Sequence, residues 1–467
     1  MQVEFCGAAG EVTGSCHRVT TSAGSVLLDC GQIQGSPESE RRNAEPFPFD
    51  ARRIDALVLS HAHIDHIGRV PLLVRRGFRG PIHTHPATAD LARIMLEDAV
   101  ALAEADLERE NRERMRRGRR PLPPLYTRED VREALKRMQP LPYGETREIL
   151  QGVRLTLHDA GHILGSAAVE LVADEDGAAR RLVYSGDLGP RGTPILCDPA
   201  PIERADLVLL ESTYGNRLHR SREDTLVELA GIIEAAAAGG GNVVIPAFAV
   251  GRTQELLYWF AQHFEAWNLA RFRIFLDSPM ATKVVEVYEG HEDLFDTEAR
   301  ALWRARPHPL RLPNLSFTDS VAESQAINEF KGGAIIIAGS GMCNGGRIRH
   351  HLRQNLGRRD AHIVFVGYQA EGTLGRLLVD GVRQVKLFGE WISVNAARHT
   401  VGGLSAHADQ AGLLQWYGGI SAGAGSGRPP VCLVHGEDIA REPLAQCLRE
   451  RYGARVELAR PGMQLTV

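Results

Sequence analysis

The sequence predicts an α/β fold whose middle region differs in pattern from the regions on either side. In the middle of the chain, four units repeat the order apolar strand, small-residue loop and helix. They are "NVVIPAFAVGRTQELLYWF", "RIFLDSPMATKVVEVY", "AIIIAGSGMCNGGRIRHHL" and "HIVFVGYQAEGTLGRLL". Continuous apolar strands that alternate with helices are typical of a parallel sheet covered on both faces. Short strands punctuated by glycine, such as "VEFCGAAGEVTGSCHRVTTSAGSVLLDCG", precede this region, and short strands follow it.

The composition is that of an ordinary globular protein. A length of 467 residues suits two or three domains of ~100–200 residues each. The formal net charge of −4 excludes a surface coated in positive charge. A nucleic-acid site would therefore have to be a local feature of one face or cleft.

Cysteine usage and apolar runs indicate where the protein resides. The seven cysteines are scattered and show no C-x-x-C spacing, which is typical of a reduced protein without a disulfide framework. The N-terminal stretch has no basic segment followed by an apolar one, and no apolar run approaches the ~20 residues of a membrane helix. We expect a cytoplasmic protein without membrane association.

A cluster of metal-ligand residue types follows the apolar run "ALVL". The segment "SHAHIDHIGR" holds His61, His63, Asp65 and His66. On an extended loop alternate residues project the same way, so His61 and His63 can reach one ion. Asp65 leads toward a second position and His66 points elsewhere. One segment can thus serve two neighbouring ions, and other strands must supply the remaining ligands.

Polar residues end later strands. They are His162 in "GHILGS", Asp187 in "SGDLG" and Glu211 in "LLEST", of which His162 and Asp187 offer the missing ligands. In α/β enzymes, strand ends that face a loop are where the chemistry lies. After the repeated units, His407 and His435 stand between small or acidic neighbours.

These motifs resemble those of a known family. "HAHIDH" matches the H-x-H-x-D-H signature of the metallo-β-lactamase fold, and Asp29, His162 and Asp187 complete that superfamily's motif series in order. "LLEST", "SAHAD" and "LVHGE" resemble the three added motifs of its β-CASP branch. The resemblance covers nearly the whole chain. It is closest to nucleases related to the pre-mRNA 3′-end-processing endonuclease.

The resemblance implies a fold and domain boundaries. The expected fold is a four-layer αββα metallo-β-lactamase sandwich with an inserted β-CASP domain built on a parallel, Rossmann-like sheet. The sandwich would comprise residues 1–210 and 388–467, and the inserted domain residues 211–387.

The resemblance also implies two zinc ions per chain, with manganese left open. His61, His63 and His162 would bind the first ion. Asp65, His66 and His435 would bind the second, and Asp187 would bridge both. Asp29 would orient a ligand from behind the site, and His85 in "HTHP" is expected behind the site or in a structural role.

The implied reaction is hydrolysis of single-stranded RNA, leaving 3′-hydroxyl and 5′-phosphate ends. The catalytic residues would be Asp65 and Asp187 at the metals, His407 as general acid and Glu211 as the group that orients it. RNA is favoured over DNA because DNA-repair members usually have an aliphatic residue at the position of His435.

The inserted domain is expected to contact the RNA backbone through its glycine-rich loops. The candidate residues are Arg252, Ser340, Gly341 and Arg347. Short loops that lead into helix N-termini present backbone N–H groups suited to phosphate oxygens. Tight strand–helix turns that need glycine explain any single loop equally well.

Three alternatives stay open at this point. A small-molecule hydrolase for thioesters or lactams would need neither the inserted domain nor the pair Glu211 and His407. A non-catalytic RNA-binding scaffold would show degraded ligands, and a DNA nuclease is opposed mainly by His435. The balance of endonuclease and 5′-exonuclease action, the RNA target and a homodimeric state are likewise left open.

Overall fold

The chain folds into two compact units. The computed structural model describes residues 1–175, 177–306, 308–367, 369, 371–423 and 427–467. The first unit comprises Met1–Thr193, Cys197–Leu218 and His407–Val467. The second unit comprises Pro194–Leu196 and His219–Ala406.

This division differs from the boundaries expected at residues 211 and 387. The first unit continues to Leu218 because the strand that ends at Glu211 belongs to one of its sheets. The second unit continues to Ala406 because the strand Ala397–Thr400 pairs with a strand of the second unit.

The first part of the chain supplies most of the first unit. Its strands are β1 Gln2–Gly7, β2 Cys16–Thr21, β3 Gly24–Leu28, β4 Ala56–Val58, β5 Ile82–Thr84, β6 Met138–Pro140, β7 Thr146–Leu150, β8 Val153–Asp159, β9 Ala167–Glu175, β10 Ala178–Tyr184, β11 Arg204–Ala205 and β12 Leu207–Glu211. Its helices are α1 Pro37–Arg41, α2 Ile64–Ile67, α3 Val70–Arg75, α4 Pro86–Arg116 and α5 Arg128–Lys136.

The second unit follows in the middle of the chain. Its helices are α6 Arg222–Gly239, α7 Arg252–Gln262, α8 Pro279–Gly290, α9 Thr297–Ala305, α10 Val321–Ala326, α11 Ile348–Asn355 and α12 Leu374–Val379. Its strands are β13 Val243–Pro246, β14 Arg273–Asp277, β15 Leu315–Phe317, β16 Ala334–Ala338, β17 His362–Phe365, β18 Gln384–Leu387, β19 Glu390–Ser393 and β20 Ala397–Thr400.

The chain then returns to the first unit. The returning elements are α13 Gln410–Gly418, β21 Ser421–Ala422, β22 Val431–Val434, α14 Asp438–Tyr452, β23 Val456–Leu458 and β24 Gln464–Thr466. The entry and the exit of the insertion are tied together, because the backbone amide of Gln410 donates a hydrogen bond to the carbonyl of Arg217 at 3.1 Å. The side-chain amide of Gln410 also donates to the carbonyl of Gly215 at 2.6 Å.

Two seven-stranded sheets form the centre of the first unit. Their strand orders are β24-β1-β2-β3-β4-β5-β6 and β23-β22-β12-β10-β9-β8-β7. The inner faces pack on each other through one apolar core, in which Val26 and Leu28 of the first sheet meet residues such as Leu171 and Leu209 of the second. The two sheets therefore form a sandwich.

Helices cover the outer faces of this sandwich. Val183 and Leu210 of the second sheet pack against Leu413 of α13 and Leu448 of α14. On the first sheet, α4 contacts β6 and both α2 and α5. The strands near the middle are apolar throughout because both of their faces are buried. This is the four-layer αββα architecture expected from the sequence, and that expectation is confirmed.

A six-stranded parallel sheet forms the centre of the second unit. Its strand order is β15-β14-β16-β13-β17-β20, with every neighbouring pair parallel. A separate two-stranded hairpin, β18 and β19, lies beside it and packs its inner face into the same core. Within the described residues, no helix combines the length and the apolar character needed to cross a bilayer.

Candidate metal centre and active site

The histidine cluster lies where β4 gives way to a short helix. The loop after β4 carries His61 and His63, and His63 occupies the N-cap position of α2. Asp65 and His66 then lie within the four residues of α2. The change from extended loop to helix separates the side chains of this segment into two groups.

The first group of donor atoms comes from three histidines and one carboxylate. Nδ1 of His63 lies 3.2 Å from Nε2 of His61 and 3.1 Å from Nε2 of His162. Oδ2 of Asp187 lies 3.4 Å from Nε2 of His61 and 3.7 Å from Nε2 of His162. The four donor atoms therefore converge on one point.

The second group comes from α2 and the end of β22. Nε2 of His435 lies 3.1 Å from Nε2 of His66 and 3.5 Å from Oδ2 of Asp65. Asp187 also contacts this group, because its Oδ2 lies 3.3 Å from Nε2 of His66 and its Oδ1 lies 3.6 Å from Nδ1 of His435. Asp187 thus lies between the two groups, as expected of a bridging carboxylate.

The arrangement of the donor atoms is better explained by two bound cations than by hydrogen bonds among the donors themselves. Oδ1 of Asp187 is buried and accepts no hydrogen bond from any residue that the structure describes. Imidazole nitrogens and carboxylate oxygens at these spacings are the ligands that zinc prefers. An uncompensated buried carboxylate oxygen is costly unless a cation or a donor faces it.

The electrostatics of the two groups differ. Burial lowers the pKa of His61 well below its ordinary value and that of His63 to about 4, so both imidazoles stay neutral and ready to ligate. Burial opposes charge on His66 too, but Asp187 and Asp29 raise its pKa well above the ordinary value. Burial likewise opposes ionisation of Asp187, yet His435, His66 and His61 hold its pKa well below the ordinary value. Positive charge is therefore stabilised around Asp187.

Asp29 holds His66 from behind the site. Its Oδ2 lies 2.7 Å from Nδ1 of His66. The same carboxylate accepts hydrogen bonds from the backbone amide and the hydroxyl of Ser60, both at 2.8 Å, and from the hydroxyl of Tyr184 at 2.7 Å. Ser15 adds a weaker contact at 3.3 Å. A carboxylate of this kind fixes the orientation of a ligating imidazole and raises its basicity.

The backbone is strained at two of these positions. Asp29 has φ of 57° and His435 has φ of 50°, both in the left-handed region that side chains other than glycine seldom adopt. Such outliers cluster at functional sites, where the surrounding structure enforces them. Gly31 allows two backbone segments to approach closely, since a Cβ there would lie 1.5 Å from the carbonyl oxygen of Asp65.

Glu211 and His407 form a third arrangement beside the metal donors. Oε1 of Glu211 lies 3.3 Å from Nδ1 of His407. Glu211 is fully buried and also accepts hydrogen bonds from the backbone amides of Leu188 at 2.9 Å and Thr213 at 3.2 Å. Burial disfavours the charged imidazole of His407, but the Glu211 carboxylate raises its pKa to about 9. The imidazole is therefore held protonated near neutral pH, with Nδ1 directed at Glu211.

Several residues that support the site carry no signal in the sequence. Tyr184 and Ser60 bind Asp29, and the hydroxyl of Thr213 lies 3.1 Å from Nδ1 of His435. The hydroxyl of Ser185 accepts a hydrogen bond from the backbone amide of Glu211 at 2.9 Å. Thr213 follows Glu211 by two positions and Ser185 precedes Asp187 by two, so proximity to a motif is the one hint available.

His85 supports the start of α4. It is the N-cap residue of that helix, and its Nδ1 accepts a hydrogen bond from the backbone amide of Ala87 at 3.2 Å. Its ring stacks on Tyr143 with the ring centroids 4.0 Å apart. These contacts give His85 a structural role.

The residues expected to contact RNA are placed differently from one another. Arg252 is 6% exposed and paired with Glu255 within α7, which does not favour a contact with phosphate, and its contact with RNA stays a prediction. Nη1 of Arg347 binds Asp277 at 2.7 Å and the carbonyl of Thr318, and Nη2 binds the carbonyl of Asp319, so both terminal nitrogens donate within the second unit.

Ser340 and Gly341 lie in the loop after β16. The hydroxyl of Ser340 accepts a hydrogen bond from the amide of Gly345 at 3.3 Å. Gly341 lies against the ring of Phe248, which a Cβ would meet at 2.7 Å. Contact of these two residues with RNA stays a prediction.

The hydrogen bond from Tyr184 to Asp29 gives a test of the support behind the site. We expect Tyr184→Phe to lower zinc affinity by about 10-fold, because removing such a partner loosens a ligand rather than deleting it. Competition with a chelator measures the change. Tyr417→Phe is the matched control, since this buried hydroxyl donates to the carbonyl of Pro429 instead. Equal zinc affinities for the two variants would contradict the assigned role of Asp29.

A sandwich of two sheets flanked by helices, with histidine and aspartate donors at its edge, defines a metallo-hydrolase. Three family models match successive parts of the chain. They describe the metallo-beta-lactamase superfamily at residues 9–231, the Beta-Casp domain at residues 253–378 and a Zn-dependent metallo-hydrolase RNA specificity domain at residues 391–459.

Curated relatives match over nearly the full length. Ribonuclease TTHA0252 of Thermus thermophilus is 42% identical over 99% of both chains. Transcription termination factor FttA of Pyrococcus horikoshii is 32% identical over 97% of this chain and 69% of its own length. A protein of unknown function from Enterococcus faecalis shares the fold, with a TM-score of 0.56 and 13% identity over 100% of this chain and 99% of its own.

The chain belongs to the β-CASP branch of the metallo-β-lactamase superfamily, as its motifs predict. A metal-dependent ribonuclease is the class of enzyme that this family and the converging donors define. The small-molecule hydrolase considered from the sequence is thereby set aside.

Proposed function

We propose that this protein is a two-zinc ribonuclease that cuts single-stranded RNA internally and leaves 3′-hydroxyl and 5′-phosphate ends. The observation that carries the proposal is the position of Asp187 between two groups of donors, each complete enough to hold an ion. Manganese is the alternative metal, because the same donors accept it.

We assign the ligands to the two ions according to the two groups of donor atoms described above. His61, His63 and His162 would hold one ion, and Asp65, His66 and His435 the other. Asp187 would be shared, because it also contacts His66 and His435. When bound, such a pair of ions lowers the pKa of water toward 7 and offsets charge on the phosphate oxygens. Asp29 keeps the imidazole of His66 in a fixed orientation, since its carboxylate holds Nδ1.

His407 would supply the proton that the leaving 3′-oxygen needs. Attack of water at phosphorus breaks the bond to the 3′-oxygen, which is a poor leaving group unless it is protonated. Glu211 binds Nδ1 of His407, so the proton on Nε2 is the one available to RNA. The ring of His407 lies 4.5 Å from that of His162, next to the metal donors.

Single-stranded RNA suits this site because the donor atoms are recessed. The side chains of His61, His162 and Asp187 are at most 2% exposed. A flexible single strand can bring one phosphate to such a site more easily than a duplex can, since the duplex must keep its paired neighbour in place. The name of the relative Ribonuclease TTHA0252 and the RNA specificity domain model support RNA as the substrate.

An end-mapping experiment tests this proposal. We expect the zinc-loaded protein to cut RNA labelled at either end, and to cut a single strand roughly 10-fold faster or more than the matched duplex. Sequencing gels or mass spectrometry identify the product ends. Products with 3′-phosphate ends would contradict the hydrolytic mechanism, and equal rates on both substrates would contradict strand selectivity. Faster cutting of the matched single-stranded DNA would favour a DNA nuclease.

We propose a cytoplasmic location, which its seven free thiols support. A homodimeric state is a further proposal, and sedimentation analysis of the zinc-loaded protein tests it.

A further inference from the structure

The hairpin of β18 and β19 presents an unusual surface. Trp391 is 69% exposed, although a tryptophan normally covers much of its large apolar area. At the tip, Phe388 is 46% exposed. Two exposed aromatic rings within four residues of each other are a feature that folding alone does not require, because burial would stabilise both.

The hairpin is held firmly enough to act as a platform. Its inner face, with Val385 and Leu387, is part of the core that also contains Leu352 and Leu378, and Ile392 packs against that core. Phe388 and Gly389 have φ of 50° and 87°, so the tip is a tight two-residue turn of the kind that fits the twist of paired strands.

A second anchor fixes the tip to α11. The carboxylate of Glu390 lies 2.9 Å from Nη2 of Arg353. The ring of His350 stacks on Phe388 with centroids 4.5 Å apart. Strand geometry then sends alternate side chains of the hairpin outward.

The outward face combines the aromatic rings with positive charge. Lys386 is the direct cross-strand partner of Trp391 and is exposed. The guanidinium of Arg349 lies over the Phe388 ring at 5.1 Å. Within the described part of the chain, neither Lys386 nor Arg349 pairs with a carboxylate. Each exposed ring therefore has a cation beside it whose charge is not neutralised.

This pairing favours one kind of occupant. Single-stranded nucleic acid offers flat bases that stack on aromatic rings and phosphates that attract the adjacent cations. A protein partner would need no free cation next to each ring. The surface charge thus favours RNA over a second polypeptide.

We propose that the β18–β19 hairpin is a base-stacking site for single-stranded RNA, in which Trp391 stacks on a base and Lys386 contacts the neighbouring phosphate. The inference rests on the proposed RNA substrate and adds a binding site outside the metal centre. Its function is to hold a long strand, so short RNAs that cannot reach it should be cut normally.

Equilibrium binding tests the site directly. The probe is a fluorescein-labelled 20-nucleotide single-stranded RNA, and anisotropy is read on zinc-loaded protein that carries His407→Ala to prevent cutting. Adding Trp391→Ala should weaken binding about 10-fold, and Trp391→Phe should restore most of it, because the loss of one base stack has roughly that effect. Lys386→Gln should lower the slope of log affinity against log salt by about 0.7.

A matched control and a cutting assay complete the experiment. Val227→Ala removes an apolar side chain that is 72% exposed on α6 and should leave binding unchanged. In the otherwise wild-type protein, Trp391→Ala should raise KM on the 20-nucleotide RNA at unchanged kcat, and should leave cutting of a tetranucleotide unaffected.

The outcomes separate the inference from the proposed function. Equal RNA affinity of the Trp391→Ala protein and its parent would overturn the stacking site. So would a change in oligomeric mass on Trp391→Ala, which would identify the hairpin as a contact between copies. RNA that binds through Trp391 but is never cut by the wild-type protein would instead overturn the proposed nuclease and leave the stacking site standing.

Discussion

Asp187→Ala is expected to remove both metal ions and to lower RNA cleavage by at least about 10³-fold. The carboxylate contacts donors of both groups, so its loss opens both sites at once. It also leaves several buried imidazoles without a negative partner. Elemental analysis after dialysis measures the metal content. A melting profile of the variant that matches the wild-type profile in zinc-free buffer shows that the fold persists.

Two further variants sharpen this test. Asp187→Asn keeps the shape of the side chain but not its charge, and should also lose metal. Asp174→Ala removes an exposed carboxylate that pairs with Arg154 and should retain wild-type metal content and rate. Two ions per chain in the Asp187→Ala protein would show that the bridging role is wrong.

His407→Ala and His435→Ala should both lose most of their activity, but for different reasons. His407→Ala should keep both ions and near-normal RNA affinity while turnover falls by roughly 10²–10⁴. His435→Ala should lose metal affinity as well as rate, because Nε2 of His435 faces His66 and Asp65. Excess zinc should restore part of the activity of His435→Ala and none of that of His407→Ala.

A modified substrate gives the decisive comparison. RNA with sulfur in place of the 3′-leaving oxygen needs little protonation, so it should restore His407→Ala selectively and leave His435→Ala impaired. Rescue of His407→Ala by zinc, or of His435→Ala by the sulfur substrate, would mean that the two roles are exchanged.

Four of the proposed metal donors can be proposed from the sequence because they lie within six residues. The alternation expected of an extended loop already divides the residues from His61 to His66 into two groups, whereas the start of a helix at Ile64 could not be read from the sequence. His435 depends on the family resemblance instead, because nothing near it in the chain indicates that β22 runs beside β12.

The contacts that hold the proposed metal ligands in place could not be predicted from the sequence, for a physical reason. Tyr184 reaches Asp29 because β10 of one sheet faces the end of β3 in the other, and only the packed sandwich makes these positions neighbours. Arg252 is an example of a local contact that the sequence pattern did not reveal. An arginine after glycine suggested an exposed cation, whereas Glu255 at i+3 on α7 neutralises it within the helix.

The hydrogen bonds from Gln410 to Arg217 and Gly215 bring together the two points where the chain leaves and re-enters the first unit. The first unit is therefore continuous across this seam. The inserted segment His219–Ala406 can be regarded as a cassette. Every proposed metal ligand lies outside that cassette. In evolution, such a seam allows one insertion to be exchanged for another of different surface while the hydrolytic machinery is inherited unchanged. His407 is the first residue after the inserted segment, so among the proposed catalytic groups the proton donor lies nearest in the chain to any such exchange.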